Sequence, residues 1–279
     1  MTGQAGDTYA RSCDHWSEAS RAEMDAFYAL ATDDYRHLAE AKDWATWLAD
    51  RQRAAGNRPL RLLDVACGSG KFPTALRRHA GVEDAGIGPI DYDLLDPSAF
   101  SIAEARAALG LPFVPAAEFE TPLQGFTTPD RPYDIVWATH ALYAVPLAEL
   151  DAAMEAFVRA IGGIGFIANA MADSHYIRFY RVFLDSFRGG EGEAYRTGEE
   201  IAASLRRLGA SVEVQEVAYS QKSDDDAVVE GYLQRCAFDD TVPLASMRST
   251  GPLAAYLEGC RSGGGWRFEQ RVAMLFVTP

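Results

Sequence analysis

At 279 residues, with 48% hydrophobic and 24% charged side chains and a mean hydropathy of −0.14, the chain has room for one large α/β domain with an appended cap. Its formal charge of −14 and pI near 4.8 repel polyanions and no basic patch offsets them, so nucleic acid is not expected as a partner. No apolar run approaches a membrane span, and the opening "MTGQAGDTYARSCDHW" lacks the features of a secretory signal and is too acidic for a transit peptide, so a cytoplasmic location is expected.

The stretch "SEASRAEMDAFYALATDDYRHLAEAKDWATWLADRQRAAG" sets Met24, Phe27, Tyr28 and Ala31 at helical intervals and predicts two or three amphipathic helices, closed by Gly56 and Pro59. From Arg61 short apolar runs alternate with helical segments, and strands are expected at 61–66, 91–95, 112–115, 133–138, 164–169, 211–219 and 269–277. Strand and helix in repetition imply a mostly parallel sheet covered on both faces. The final strands, "ASVEVQEVAYSQ" and "WRFEQRVAMLFVTP", are separated by two helical stretches, so a helical insertion is expected within a closing antiparallel pair.

The expected divisions are an N-terminal helical lid over 1–58, a core over 59–221, a helical insertion over 222–265 and a last core strand over 266–279. Cys13, Cys67, Cys236 and Cys260 have no metal-like spacing and are expected as free thiols, with no metal site.

In "LLDVACGSGKFPTAL" a buried strand carrying Asp64 runs into Ala66, Cys67, Gly68, Ser69 and Gly70, a turn that lets backbone approach a ligand, and then into a helix whose amino end faces the same place. Pro73 replaces the third glycine of a dinucleotide fingerprint, and the phosphate-loop pattern fails at Val65 and Phe72. "YDLLDPS" places Asp96 at the end of the second strand, where a carboxylate accepts hydrogen bonds from a ribose diol. Glycine turn and strand-end acid together point to a nucleoside. Both acids also suit helix capping, and Cys67 a small turn residue.

"LLDVACGSGKF" resembles the first signature of class I S-adenosylmethionine-dependent methyltransferases. The likeness continues through "DYDLLDPSAFSIAEARAALG", "YDIVWATHALYAVP" and "EEIAASLRRLGASVEV", over roughly residues 60 to 220. The segments "DPSAFSIAEA", "ATHALYAV" and "VVEGYLQRCAF" are similar in order and spacing to the histamine N-methyltransferase branch, which methylates small amines. The resemblance implies a doubly wound Rossmann-like α/β fold, a seven-stranded sheet with an antiparallel last strand, and S-adenosylmethionine as cofactor. It implies that Ala66, Gly68 and Gly70 lie against the cofactor, Asp64 organises the turn near its methionine end and Asp96 binds the ribose. Ser101 reaches the cofactor, Phe119 or Glu120 in "PAAEFETP" lies near adenine, and Thr139 and His140 meet cofactor and substrate. The branch carries an amide at the His140 position, which counts against histamine itself as the acceptor.

Beside these, "FYALATDDYRHL" offers Tyr35 as a substrate contact, and "FIANAMADSHY" places Asn169, His175 and Tyr176 after the fifth strand, beyond the edge where substrate sits. Tyr143, and Gln270 where the resemblance to the histamine branch implies a polar substrate contact, complete the expected substrate set, with His140, Asn169 and Tyr176 as the catalytic candidates. Each has a structural rival: packing for His140 and Tyr35, loop capping for Asn169, an exposed strand position for Gln270. The expected reaction is in-line methyl transfer to a small molecule at an amine nitrogen, with His140, His175 or Tyr143 taking the proton. Two alternatives stand: cyclisation of S-adenosylmethionine by its own α-amine to azetidine-2-carboxylate and methylthioadenosine, and cofactor binding without catalysis. Neither the acceptor nor the oligomeric state is legible.

Overall fold

The computed structural model describes residues 7–56 and 58–279; parts of the opening run and of the expected 1–58 segment, residues 1–6 and 57, lie outside them. Helices α1 (Asp7–His15), α2 (Arg21–Glu40) and α3 (Trp44–Ala54) precede β1 (Leu60–Val65), α4 (Lys71–His79), β2 (Ile90–Asp96), α5 (Ala99–Ala108) and β3 (Phe113–Glu120). Then come β4 (Tyr133–Thr139), α6 (Leu150–Ala160), β5 (Ile161–Ala170), α7 (His175–Phe187), α8 (Gly198–Arg207) and β6 (Ser211–Ser223). The chain ends with α9 (Asp226–Ala237), α10 (Leu244–Met247), α11 (Gly251–Glu258), β7 (Arg261–Ser262) and β8 (Gly265–Thr278).

The fold is a Rossmann-like α/β sheet in the order β3-β2-β1-β4-β5-β8-β6, with the short β7 paired to β8. The first five strands run parallel, while β8 is antiparallel to both β5 and β6. Successive side chains of a strand face opposite ways, and here both faces are covered. Leu60 and Leu62 pack with Trp44, Phe72 and Leu76 on one face, whereas Leu63 and Val65 pack with Phe157, Ile201 and Leu205 on the other.

All seven expected strands form. β3 extends beyond 112–115 to Glu120 because it is the sheet edge: most of it is exposed, so its later residues need no apolar pattern, and an edge tolerates Pro115. β6 likewise runs past 219 to Ser223 along β8. The helices between β6 and β8 bury Val229, Tyr232, Leu233, Met247 and Leu253 against Phe179 and Phe183 of α7 and Ala31 of α2. The late insertion and the N-terminal helices therefore meet over one end of the sheet. Among the described residues no helix is long and apolar enough to cross a membrane, and all four cysteines are unbridged.

Candidate active site

The strand order reverses at β1, whose neighbours are β2 and β4, and the carboxyl ends of these strands open onto a cavity of about 320 Å³. In open parallel sheets that crevice is where ligands sit. The turn after β1 begins where the Cys67 N–H donates to the Leu95 carbonyl (3.1 Å) and closes where the Gly70 N–H donates to the Cys67 carbonyl (3.1 Å). Ala66 has φ +51, a left-handed conformation costly for any residue with a Cβ. Gly68 shares that conformation, and a Cβ added to it meets nothing within 4 Å, so its backbone borders open space. Gly70 differs: an added Cβ would stand 3.1–3.2 Å from Ala108 and the Ala105 backbone. Gly70 permits close packing of α4 on α5, and it is not among the residues lining the cavity.

Asp96 lines the cavity with both oxygens held, Oδ2 by the Gly68 N–H (3.1 Å) and Oδ1 by the Ser98 N–H (2.9 Å). Burial pushes it up to about 6 against the pull of those two donors. A carboxylate so held keeps acceptor capacity for further hydroxyl groups. Asp64 accepts from the Tyr92 hydroxyl (2.6 Å), which accepts in turn from Trp137 Nε1 (3.2 Å), and burial raises it to about 7. Ser101 and Thr139 also line this cavity.

Helices α1 and α2 cover it. Trp16 Nε1 donates to the Tyr143 hydroxyl (3.0 Å), and the Ser98 hydroxyl donates to the Trp16 carbonyl (3.0 Å), so the N-terminal segment is bonded to both walls. Tyr28 extends the cover, accepting from the Ser69 hydroxyl (3.2 Å) with Lys71 Nζ 4.2 Å from its ring centroid.

Behind this lies a second, smaller cavity of about 70 Å³, and Trp16, Tyr35, His140 and Tyr143 line both. His140 sits at their junction with φ +52, its N–H on the Ala168 carbonyl (2.8 Å) and its ring edge-on to Tyr35 (5.5 Å). Its Nε2 is buried without a partner, and burial lowers it to about 4, so the ring is neutral at ordinary pH. Asn169 and Tyr176 line the inner cavity, the Asn169 amide donating to the carbonyl of Arg196 (2.9 Å).

Asp34 of α2 also lines it. Its Oδ2 accepts from Tyr176 (2.6 Å), and its Oδ1 accepts from Tyr219 (2.6 Å) and Gln221 Nε2 (2.7 Å). No cation is among these partners, and burial outweighs the tyrosine donors to push Asp34 up to about 7. Arg235 of α9 approaches from elsewhere, its guanidinium 4.3 Å from the Trp16 ring centroid.

Five expected site residues reach neither cavity, Gly70 being the first. The Phe119 ring turns into the core against Phe126 (5.1 Å) and Glu120 points to solvent, while Thr121, Pro122, Leu123 and Gln124 line the cavity one turn later. His175 is buried between Phe268 (4.4 Å) and Phe179 (5.4 Å), with Nδ1 on the Tyr256 hydroxyl (2.8 Å). Gln270 is buried rather than exposed, accepting from Ser174 (2.6 Å) and donating to Gln221 (2.9 Å); it braces the Asp34 network from behind.

Sequence reasoning passed over Trp16, Asp34 and Arg235. A signal for Asp34 existed, since it lies on the helical stripe Ala31, Asp34, Leu38 that α2 buries. Arg235 similarly stands among Tyr232, Leu233 and Cys236 on the buried face of α9. A charge on an apolar stripe calls for a partner or a function.

Residues 35–213 match the family model described as a methyltransferase domain. Among curated proteins no sequence matches this one. The fold is similar to magnesium protoporphyrin IX methyltransferase from Synechocystis PCC 6803 with bound S-adenosylhomocysteine (TM-score 0.55, 13% identity, 95% of this chain and 97% of that one). It is also similar to a protein from Bacillus halodurans C-125 (0.54, 13%, 82% and 97%). The plantazolicin methyltransferase BpumL in complex with S-adenosylhomocysteine is a further likeness (0.51, 13%, 97% and 95%).

Proposed function

The chain belongs to the methyltransferase-domain family, and on that premise we propose that it methylates a small molecule at an amine nitrogen, with S-adenosylmethionine in the outer cavity and the acceptor in the inner one. The observation that carries this reading is the buried carboxylate of Asp34, which faces an aromatic-lined cavity and is held by three neutral donors with no cation among its partners. An ammonium or amine is the complement that this carboxylate lacks.

The outer cavity fits the cofactor. Gly68 leaves backbone open to it, Asp96 has acceptor capacity for ribose hydroxyls, and the 121–124 segment closes the end where adenine would lie. When bound, the sulfonium supplies an electrophilic methyl group, and transfer by in-line displacement needs alignment, exclusion of water and a deprotonated acceptor. Trp16, Tyr35 and Tyr143 seal the junction where that alignment is set. Asp34 orients the acceptor's nitrogen and takes its proton, as a carboxyl raised to about 7 is suited to do. Neutral His140, with Nε2 free, accepts a hydrogen bond from the nucleophile. Asn169 fixes the inner wall through its bond to the Arg196 carbonyl, and Tyr176 holds Asp34 in place. The segment before β1 acts as the lid, and the likeness in "ATHALYAV" and "VVEGYLQRCAF" supports a place beside the histamine N-methyltransferase branch.

A second reading is favoured by the small inner cavity, about 70 Å³, which leaves little room for an acceptor. In it S-adenosylmethionine is the substrate: its α-amine attacks the γ-carbon, the C–S bond breaks, methylthioadenosine leaves, and the amine proton passes to the protein. One experiment separates the two. The protein is incubated with S-adenosylmethionine alone and with a panel of small amines, and the sulfur-containing product is identified. S-adenosylhomocysteine formed only with an amine supports transfer, whereas methylthioadenosine above the spontaneous background without one refutes it in favour of cyclisation.

A further inference from the structure

Arg235 stands unexplained by amine methylation. It is 3% exposed, yet its Nε and Nη1 have no hydrogen-bond partner, and only Nη2 is engaged, on the His15 carbonyl. Its guanidinium lies over the Trp16 ring, and both residues line the inner cavity. Glu23, on the neighbouring helix, attracts the guanidinium but bonds neither free nitrogen. A buried guanidinium with two idle donors is costly unless an anion is meant to meet them. The planar fork of Arg suits a carboxylate.

The same cavity holds the uncompensated carboxylate of Asp34. Phe27 and Trp16 line the cavity with them: Phe27 lies two turns before Asp34 on α2, and its ring is 6.1 Å from Trp16, which in turn stacks under Arg235. The bonds of Asp34 go to Tyr176, Tyr219 and Gln221 and that of Arg235 to the His15 carbonyl, so acid and base are not paired with each other. Resting on the amine reading above, we propose that the acceptor is a small zwitterion, an amino acid in the broad sense, with its amine at Asp34 and His140 and its carboxylate on Nε and Nη1 of Arg235. The volume of about 70 Å³ restricts it to a small one. Arg235 is then a specificity residue: it sets which amine enters and leaves the proton transfer to Asp34.

The test is binding to the protein saturated with S-adenosylhomocysteine, measured by titration calorimetry with three matched sets: glycine, methylamine and acetate; β-alanine, ethylamine and propionate; 4-aminobutyrate, propylamine and butyrate. In at least one set the zwitterion should bind about tenfold or more tighter than either partner, as expected for two charge-assisted contacts in place of one. Arg235→Gln should erase that advantage, so that the zwitterion binds no tighter than its matched amine, while Arg235→Lys should recover part of it. If every amine binds as tightly as its zwitterion, the anionic subsite is refuted and the amine reading stands. If no amine and no zwitterion binds, both fall together. The wild-type comparison decides the proposal even where the Arg235 variants fail to fold.

Discussion

Replacing Asp34 by Asn tests the central electrostatic feature of the site without a ligand. Burial raises this carboxyl from 3.8 to about 7, roughly three units at ~1.4 kcal/mol each, hence on the order of 4 kcal/mol. Between those two values the unfolded chain has lost the proton and the folded protein keeps it, so stability falls as pH rises through the window and levels off above about 7. Asn has nearly the same volume and does not titrate. Urea unfolding of the ligand-free wild type and of Asp34→Asn at pH 4 and pH 8 isolates the effect. Asp64 and Asp96, raised likewise, and His140 and His175, lowered by burial, titrate in both proteins and cancel in the difference. The variant should gain on the wild type by on the order of 4 kcal/mol between the two pH values. Any cost of presenting an amide to Tyr176, Tyr219 and Gln221 is a constant offset. A difference that stays the same at both pH values would refute the claim that Asp34 is held uncompensated, and with it the reason for expecting a cation there.

The two turn glycines should respond differently to alanine. Gly70→Ala, which presses on Ala105 and Ala108, should lower the unfolding midpoint far more than Gly68→Ala, while Gly68→Ala should cost more S-adenosylhomocysteine affinity in calorimetry; equal effects on both would contradict the assignment. Ala66→Gly should raise stability by about 1 kcal/mol through relief of its left-handed backbone, read as a higher denaturation midpoint. Asp96→Ala should weaken S-adenosylhomocysteine by roughly 1–3 kcal/mol, about fivefold to 150-fold in Kd, and unchanged binding would remove Asp96 from the site. Cofactor should slow amide exchange around Ser12–Trp16 and Tyr28–Tyr35 more than in α3, and uniform protection would count against a lid.

Local physics made much of this protein legible from its sequence. The alternation of apolar runs and helical spacing is a property of neighbouring residues, so seven strands and a mostly parallel sheet closed by an antiparallel pair could be read in line. The same holds for the turn at Gly68 and for Asp96 at the end of the next strand, because a glycine between strand and helix has few uses and a strand end has a fixed place in a doubly wound sheet. What the chain brings together from its two ends could not be read that way. Asp34 and Arg235 share one cavity only because α2 and α9 pack over the same edge of the sheet, and spacing within either helix carries no trace of the other. The same limit explains His175 and Gln270: following a strand or lying on one places a residue near the site, but the insertion between β6 and β8 closes over both and makes them core. Which polar residues face a ligand and which brace those that do is set by the packing of distant elements, because a buried side chain's partners are chosen in three dimensions and not along the chain.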